Sequence, residues 1–385
     1  MRRTRRCVAA TRLQQPDDPD RPAYAQSLFH YIMSGLCSNR RALILTTINR
    51  PNRVMSMLAE GCARTGTRLI IVGDLKSPTD FCVEGADYYS VERQHREFPD
   101  FSAQLPLGHY ARKNLGYLVA IQDAVETLQE TDDDNLPLNS FWAQTPITGP
   151  VSAVSSPTGW YNVYSHFTRE RIWPRGYALT RILDDNRVTH DRVVCKGYIR
   201  QGMANGNPDV DAIFRLTAGL PVIFDDKGPV MLKPGTWCPF NSQNTRFMRP
   251  AFPLLYLPSY SSFRMTDIWR SFVAQRILWE SDEGVLFHSA TVRQERNDHN
   301  LLADLADEVP GYIGNERLVG VLEACRLLKG DMLANLLICY EALVKHGFLI
   351  RDELALVRQW VDALEPYYDE RAVERGGRQI KASGQ

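Results

Sequence analysis

From residue 41 onward, short continuous apolar runs alternate with stretches in which apolar residues return every three or four positions. Arg41 to Ile48 (RALILTTI) is the first such run. It is rich in β-branched residues and closed by Asn49-Arg50-Pro51, which predicts a buried strand and a turn. Arg53 to Thr65 then brings Val54, Met57, Leu58 and Cys62 to one face at helical spacing. Arg68 to Gly73 (RLIIVG) predicts a second buried strand ending on Asp74, and Ala86 to Val91 a short edge strand. Tyr110 to Glu130 reads as one helix with Leu115, Leu118, Val119, Ile121 and Val125 as its apolar stripe. It runs into three consecutive carboxylates, Asp132, Asp133 and Asp134.

Strand, helix, strand and a terminal acidic residue make the opening of a nucleotide-binding open α/β sheet, whose functional groups collect at the carboxyl ends of strands. No GxGxxG follows the first strand, so a dinucleotide fingerprint is not supported. Leu136 to Asp226 is punctuated by Pro137, Pro146, Pro150, Pro157 and Trp173-Pro174-Arg175-Gly176, and predicts irregular walls around a site. Trp142, Trp160, Tyr161, Tyr164, Phe167 and Trp173 crowd this stretch. Flat rings suit the C–H faces of sugars, although core packing is the commoner use of an aromatic. Met265 to Trp279 predicts a further helix, and Leu318 to Leu364 a helical hairpin or subdomain with breaks at Gly330 and Gly347.

Composition narrows the class. At 385 residues, 44% hydrophobic and 23% charged, the chain can bury a large core in one α/β domain with an appended helical part, or in two domains. Its 45 basic and 45 acidic residues cancel, which argues against a general nucleic-acid binder. Eight cysteines without a CxxC pair argue against zinc or disulfide frameworks and favour reduced, cytoplasmic thiols. No run reaches ~18 apolar residues, so no transmembrane helix is predicted. Met1 to Arg6 is basic but no apolar segment follows, so residues 1–25 read as a flexible arm able to touch phosphate or anionic lipid.

The acidic triplet changes this picture. A hard divalent cation takes oxygen ligands and leaves positions for water and phosphate oxygens. Two carboxylates one residue apart can therefore hold Mn²⁺ or Mg²⁺ against a nucleotide diphosphate. A solvated acidic loop is the competing reading. Arg112, Lys113 and Asn114 give a second hint of phosphate, because basic side chains at a helix N-terminus oppose its dipole unless an anion sits there. A further acidic pair, Asp209 and Asp211, follows the Gly206-Asn207-Pro208 turn.

Taken in order, TTINRP, VGDLKSP, HYARKNLGYLVAI, the Asp cluster, NVYSHFTRERIWPRGYAL, RQGMANGNPDVDAIF, GTWCPFNSQNT and DIWRSFVAQRILWE resemble the STELLO-type glycosyltransferases. WPRG and NGNPDVDAIF are the most specific segments. The family's plant members are Golgi membrane proteins. No membrane anchor is read in this chain, so it resembles a soluble relative, and the Golgi location is not carried over. More distantly, the run into the triplet is similar to the reversibly glycosylated polypeptides, which are sugar-nucleotide mutases.

The resemblance implies a GT-A-like α/β fold, an open sheet with helices on both faces, over residues 39–305. A basic arm and short helix would precede it at 1–38, and a C-terminal helical subdomain and tail would follow at 306–385. It implies transfer from a nucleotide-sugar donor, by family habit a UDP-sugar, to a glycan or other hydroxyl acceptor. In such folds the last Asp contacts the metal and the first reaches the ribose or a metal-bound water, which ranks Asp134 before Asp132, with His288 as a third ligand. Thr47, Asn49, Arg50 and Asp74 are expected around base and ribose, and Arg112 and Lys113 on the phosphates.

An inverting transferase also needs a base. Asp267 leads a helix that resembles the Asp and Gln-Arg-x-x-Trp of inverting polysaccharide synthases, with Gln275, Arg276 and Trp279 on the acceptor side. Asp209 and Asp211 would shape the sugar site or supply the alternative base. Helix capping, or a place in the first turn, is the plain reading of Asp267. A mutase acting on the donor alone and a non-catalytic scaffold are the other readings. A homodimer through the C-terminal helices is left open.

Overall fold

The computed structural model describes residues 40–368 except 144–146, 148, 185 and 296–299. The expected N-terminal arm and short helix at 1–38, like the tail after residue 368, lie outside the described residues. In chain order the opening half contains β1 (Arg41–Thr46), α1 (Arg53–Thr65), β2 (Thr67–Val72), β3 (Ala86–Tyr89), α2 (Val91–Glu97), α3 (Pro99–Gln104), α4 (Lys113–Gln122) and β4 (Thr127–Thr131). Then follow β5 (Asn135–Pro137), β6 (Val151–Ser155), β7 (Thr189–Val193), β8 (Ile199–Gly206), α5 (Ala212–Thr217), β9 (Val230–Leu232) and β10 (Asn244–Met248). The chain continues through α6 (Thr266–Leu278), β11 (Leu286–Gln294), α7 (Leu301–Glu323), α8 (Met332–Lys345) and α9 (Glu353–Tyr368).

Side chains alternate across a strand, so a fully apolar run must be covered on both faces. Leu43, Leu45, Leu69 and Ile71 pack with Val54, Met55 and Leu58 of α1, while Ala42, Ile44, Ile70 and Val72 pack on the opposite face with Leu115, Leu118 and Val119 of α4. Gly116 permits that close approach. A Cβ there would come within 2.7 Å of Ile44 Cγ2 and 2.8 Å of Val72 Cγ2. Local signals set the ends of α1: Asn52 accepts from Met55 N at its start, and Gly66 closes it at a φ of 63°.

The strands form one sheet in the order β3-β2-β1-β4-β10-β8-β11-β9-β6-β7, with β5 paired to β11 off this path. β3, β2, β1 and β4 are parallel, and β10 runs antiparallel to β4 and β8. The chain moves from β1 outward to β2 and β3, then returns to place β4 on the other side of β1. Open α/β sheets bind ligands outside the carboxyl ends of strands at such a reversal.

The helix predicted for Tyr110 to Glu130 is shorter. It ends at Gln122, Ala124 takes a φ of 52°, and Thr127–Thr131 forms β4. Tertiary pairing decides this, since β4 fills the place between β1 and β10. Strands β6 to β8 likewise cross the stretch read as irregular. Trp160, Tyr161, Tyr164, Phe167 and Trp173 are buried in the main hydrophobic cluster, and Trp142 packs on a second one, so these aromatics serve the core. Leu318, Leu322, Leu336 and Trp360 of the C-terminal helices join the same main cluster as Ile44 and Phe272.

Among the described residues no helix is long and apolar enough to cross a membrane. Cys62, Cys195, Cys238, Cys325 and Cys339 are free thiols.

One ion pair lies inside the main core. Arg270 of α6 donates to both oxygens of Glu130 on β4, at 3.0 and 2.7 Å, and Tyr117 of α4 donates to Glu130 as well. Both charges are buried, so removing one strands the other. Arg270→Met is expected to lower the unfolding free energy by about 3–5 kcal/mol in urea titrations, and Glu130→Leu added to it to restore most of the loss. A single-variant loss below ~1 kcal/mol would show that the pair does not hold α6 to the sheet.

Candidate active site

A cavity of about 360 Å³ opens at the carboxyl ends of β1, β2 and β4. β1 delivers Thr47 and Asn49 to it, β2 delivers Asp74, and β4 delivers Asp132, Asp133 and Asp134. Arg175, Asp209 and Asp267 line it too, from segments beyond the first four strands.

The three carboxylates have three different surroundings. Asp133 accepts from Thr47 Oγ1 and from Asn49 Nδ2 (2.9 Å), and its carbonyl accepts from Asn52 Nδ2 (2.8 Å). It thereby ties the exit of β4 to the exit of β1. Asp134 accepts from Gln294 Nε2 at 3.2 and 3.1 Å on its two oxygens. Asp132 accepts from Tyr110 Oη at 2.8 Å and lies 3.5 Å from Lys113 Nζ. Burial pushes the Asp132 carboxyl up to about 7; the charges of Asp134 and Asp267 add to this, while Lys113 and the Tyr110 hydroxyl oppose it.

Beyond the triplet, Arg175 holds two carboxylates. Its Nε and Nη2 each donate to Asp209 at 2.8 Å, and Nη2 also donates to both oxygens of Asp267 at 3.0 Å. Burial opposes the Arg175 charge, but Asp209 and Asp267 more than offset it and hold the guanidinium well above its ordinary pKa. Burial would likewise raise Asp209, and Arg175 overrides it to keep that carboxyl below the usual range. Ser242 completes the setting of Asp267 by donating from N and Oγ at 3.2 Å, and its Oγ lies 2.6 Å from Tyr110 Oη. Asp267 stands in the first turn of α6 and does not cap it, since that helix has Met265 at its N-cap position and no side-chain cap.

Other expected site residues sit elsewhere or are already engaged. Asp211 caps α5 by accepting from Phe214 N (2.7 Å), takes Trp173 Nε1 on its other oxygen (2.6 Å), and does not line the cavity. Arg112 borders the cavity but turns its guanidinium inward, to Gln94 Oε1 at 2.8 and 2.6 Å, Leu105 O at 3.2 Å and Ser102 Oγ at 3.0 Å. Lys113 is fully buried behind the triplet, with Nζ donating to Tyr110 Oη (2.7 Å) and Thr131 O (3.0 Å). Neither basic residue is turned toward a phosphate. Arg50 pairs with exposed Asp80 at 3.4 Å, outside the cavity.

Asp74 accepts from Gly108 N (2.9 Å) and His109 N (3.0 Å), latching the segment that carries Tyr110. His288 does not join the triplet. It lines a separate cavity, where burial, with Arg246 and Arg200 adding, lowers its pKa to about 4. The sequence reading gave no role to Tyr110, Arg175, Ser242 or Gln294. Tyr110, Arg175 and Ser242 each carried a signal, their places in the HYARKNLGYLVAI, WPRG and GTWCPFNSQNT segments, whereas Gln294 carried none.

Among the described residues no group of three or more His, Cys, Asp or Glu side chains is arranged to hold a metal ion. The donor set of Asp132 and Asp134 fits a hard cation that keeps water or ligand oxygens, as Mg²⁺ does, and does not fit an all-protein cage.

The raised Asp132 carboxyl gives a direct test. Folded, it binds its proton more tightly than in the unfolded chain, so its contribution to stability falls as pH rises from about 4 to about 7. Asp132→Asn is expected to melt on the order of 2 °C above wild type at pH 8 without divalent ions, and to converge with it near the unfolded carboxylate pKa of about 4. An unchanged difference across that range would refute the assignment.

Comparison with known proteins agrees with the motif reading. The family model for STELLO glycosyltransferases matches residues 264–368, which hold Asp267, Arg270 and helices α7 to α9. The chain is 27% identical over 320 residues to the Arabidopsis thaliana protein named Probable glycosyltransferase STELLO1, covering 78% of this chain and 41% of that one. It is 28% identical over 325 residues to Probable glycosyltransferase STELLO2 of the same plant, again covering 78% and 41%. The matched region thus spans less than half the length of these relatives. In its motifs, in this family match and in these two similarities, the chain resembles the STELLO glycosyltransferases.

Proposed function

We propose that this chain is a glycosyltransferase that moves a sugar from a nucleoside-diphosphate donor, with UDP the first choice, to a hydroxyl acceptor with inversion. One observation carries the reading. The acidic triplet at the sheet's reversal point and the Arg175-held Asp267 line the same cavity. Asp132 and Asp134 would hold Mn²⁺ or Mg²⁺ beside the donor's diphosphate, with Thr47 and Asn49 bordering the nucleoside end. When bound, the cation supplies charge stabilisation to the departing diphosphate.

Asp267 serves as the base in this reading. The acceptor oxygen forms a bond to the anomeric carbon, the bond from that carbon to the diphosphate oxygen breaks, and the acceptor proton passes to a carboxylate oxygen of Asp267. Arg175 and the Ser242 N–H fix the orientation of that carboxylate. Asp209 acts through Arg175, as a positioning residue. Asp211 is not part of this machinery, because both its oxygens are committed to Phe214 N and Trp173 Nε1.

Calorimetric titration of UDP with and without Mn²⁺ tests the donor site. Wild type is expected to bind UDP more tightly with the metal, and Asp134→Ala to lose that dependence. Asp267→Asn is expected to keep metal-dependent UDP binding while transfer falls roughly 10²- to 10⁴-fold. Absence of UDP binding with and without metal would remove the UDP donor reading. Full transfer by Asp267→Asn would remove the assigned base.

A further inference from the structure

Strand pairing sets two arginines face to face. Arg246 on β10 lies opposite Arg200 on β8 and, on its other side, opposite Gln129 on β4. The alternating neighbours Leu128 and Phe247 belong to the main core, so this row occupies the other face of the sheet. Like charges directly opposite one another destabilise an antiparallel pair. The bonds that Arg246 donates go to neutral oxygens: Gln129 Oε1 (3.0 Å), Phe141 O (3.3 Å) and Ala143 O (3.3 Å). Burial, with the charges of Arg200 and Arg41 adding, lowers its pKa to about 10. The same pair helps burial keep His288 uncharged.

Both arginines line a cavity of about 980 Å³ that shares no described lining residue with the acidic one. Arg192 and Lys227 add positive charge to its lining, and Asp226 is its acidic side chain among the described residues. Its size is that of a small-molecule site. An arginine fork matches the oxygens of a phosphoryl or carboxyl group in two-point contact.

We propose that this second cavity binds a small oxyanion-bearing molecule, with its phosphoryl or carboxyl group seated between Arg200 and Arg246. The anion would relieve the repulsion that strand register imposes on the pair. This inference does not depend on the function proposed for the acidic cavity.

Separate calorimetric titrations with inorganic pyrophosphate and with citrate, in metal-free buffer at constant ionic strength, test it. Saturable binding of either probe is expected in wild type, weakened about tenfold or more in both Arg246→Gln and Arg200→Gln and undiminished in Asp134→Ala. The probe that binds identifies the group as phosphoryl or carboxyl. Where a glutamine variant does not fold, lysine at that position keeps the charge but not the fork, and the same weakening is expected. Absence of saturable binding, unchanged binding in either arginine variant, or loss of binding in Asp134→Ala would overturn the proposal.

Discussion

The Arg175 guanidinium holds together segments that are far apart in sequence. It stands in the loop before β7, grips Asp209 after β8 and Asp267 at the head of α6, and donates to the carbonyl of Arg264. Each carboxylate is mostly buried, and removing the guanidinium would leave both without this charge partner. The position of α6 against the cavity is therefore an electrostatic outcome as well as a packing one. Arg270, one turn further along the same helix, repeats the arrangement deeper in the core with Glu130.

These two arginines tie both walls of the acidic cavity to one helix. Arg270 fixes α6 to β4, the strand that ends in the acidic triplet, and Arg175 fixes the start of α6 to the wall beyond it. The acidic cavity keeps its shape because both of its sides are anchored to the same rigid element. The basic cavity has the reverse polarity. Strand register sets its two arginines opposite each other, and the bonds of Arg246 go to neutral oxygens rather than to a carboxylate.

Elements governed by local chemistry were legible in the sequence. β1, α1 and β2 lie within a residue or two of their expected bounds, because apolar runs, an Asn cap and a closing glycine specify them without reference to the rest of the chain. β4 was not legible, since Val125 to Thr131 suits a helix or a strand and only pairing with β1 and β10 decides between them. The acidic residues were found, but direction was not. Nothing in the sequence says that Arg112 and Lys113 turn inward, or that Asp211 spends both oxygens on a cap and an indole. His288 was misplaced for the same reason, because a strand's position in an eleven-stranded sheet is a property of long-range order.

The tie made by Asp133 has a consequence for how such clusters vary among relatives. A search pattern of Asp, any residue, Asp treats the middle position as a spacer. Here the middle side chain clasps Thr47 and Asn49, and its backbone holds Asn52. Substitution at 133 would then be tolerated only with compensating change in the loop after β1, so this position should drift together with 47 and 49 across a lineage. The apparent spacer is itself a structural tie between two loops 86 positions apart.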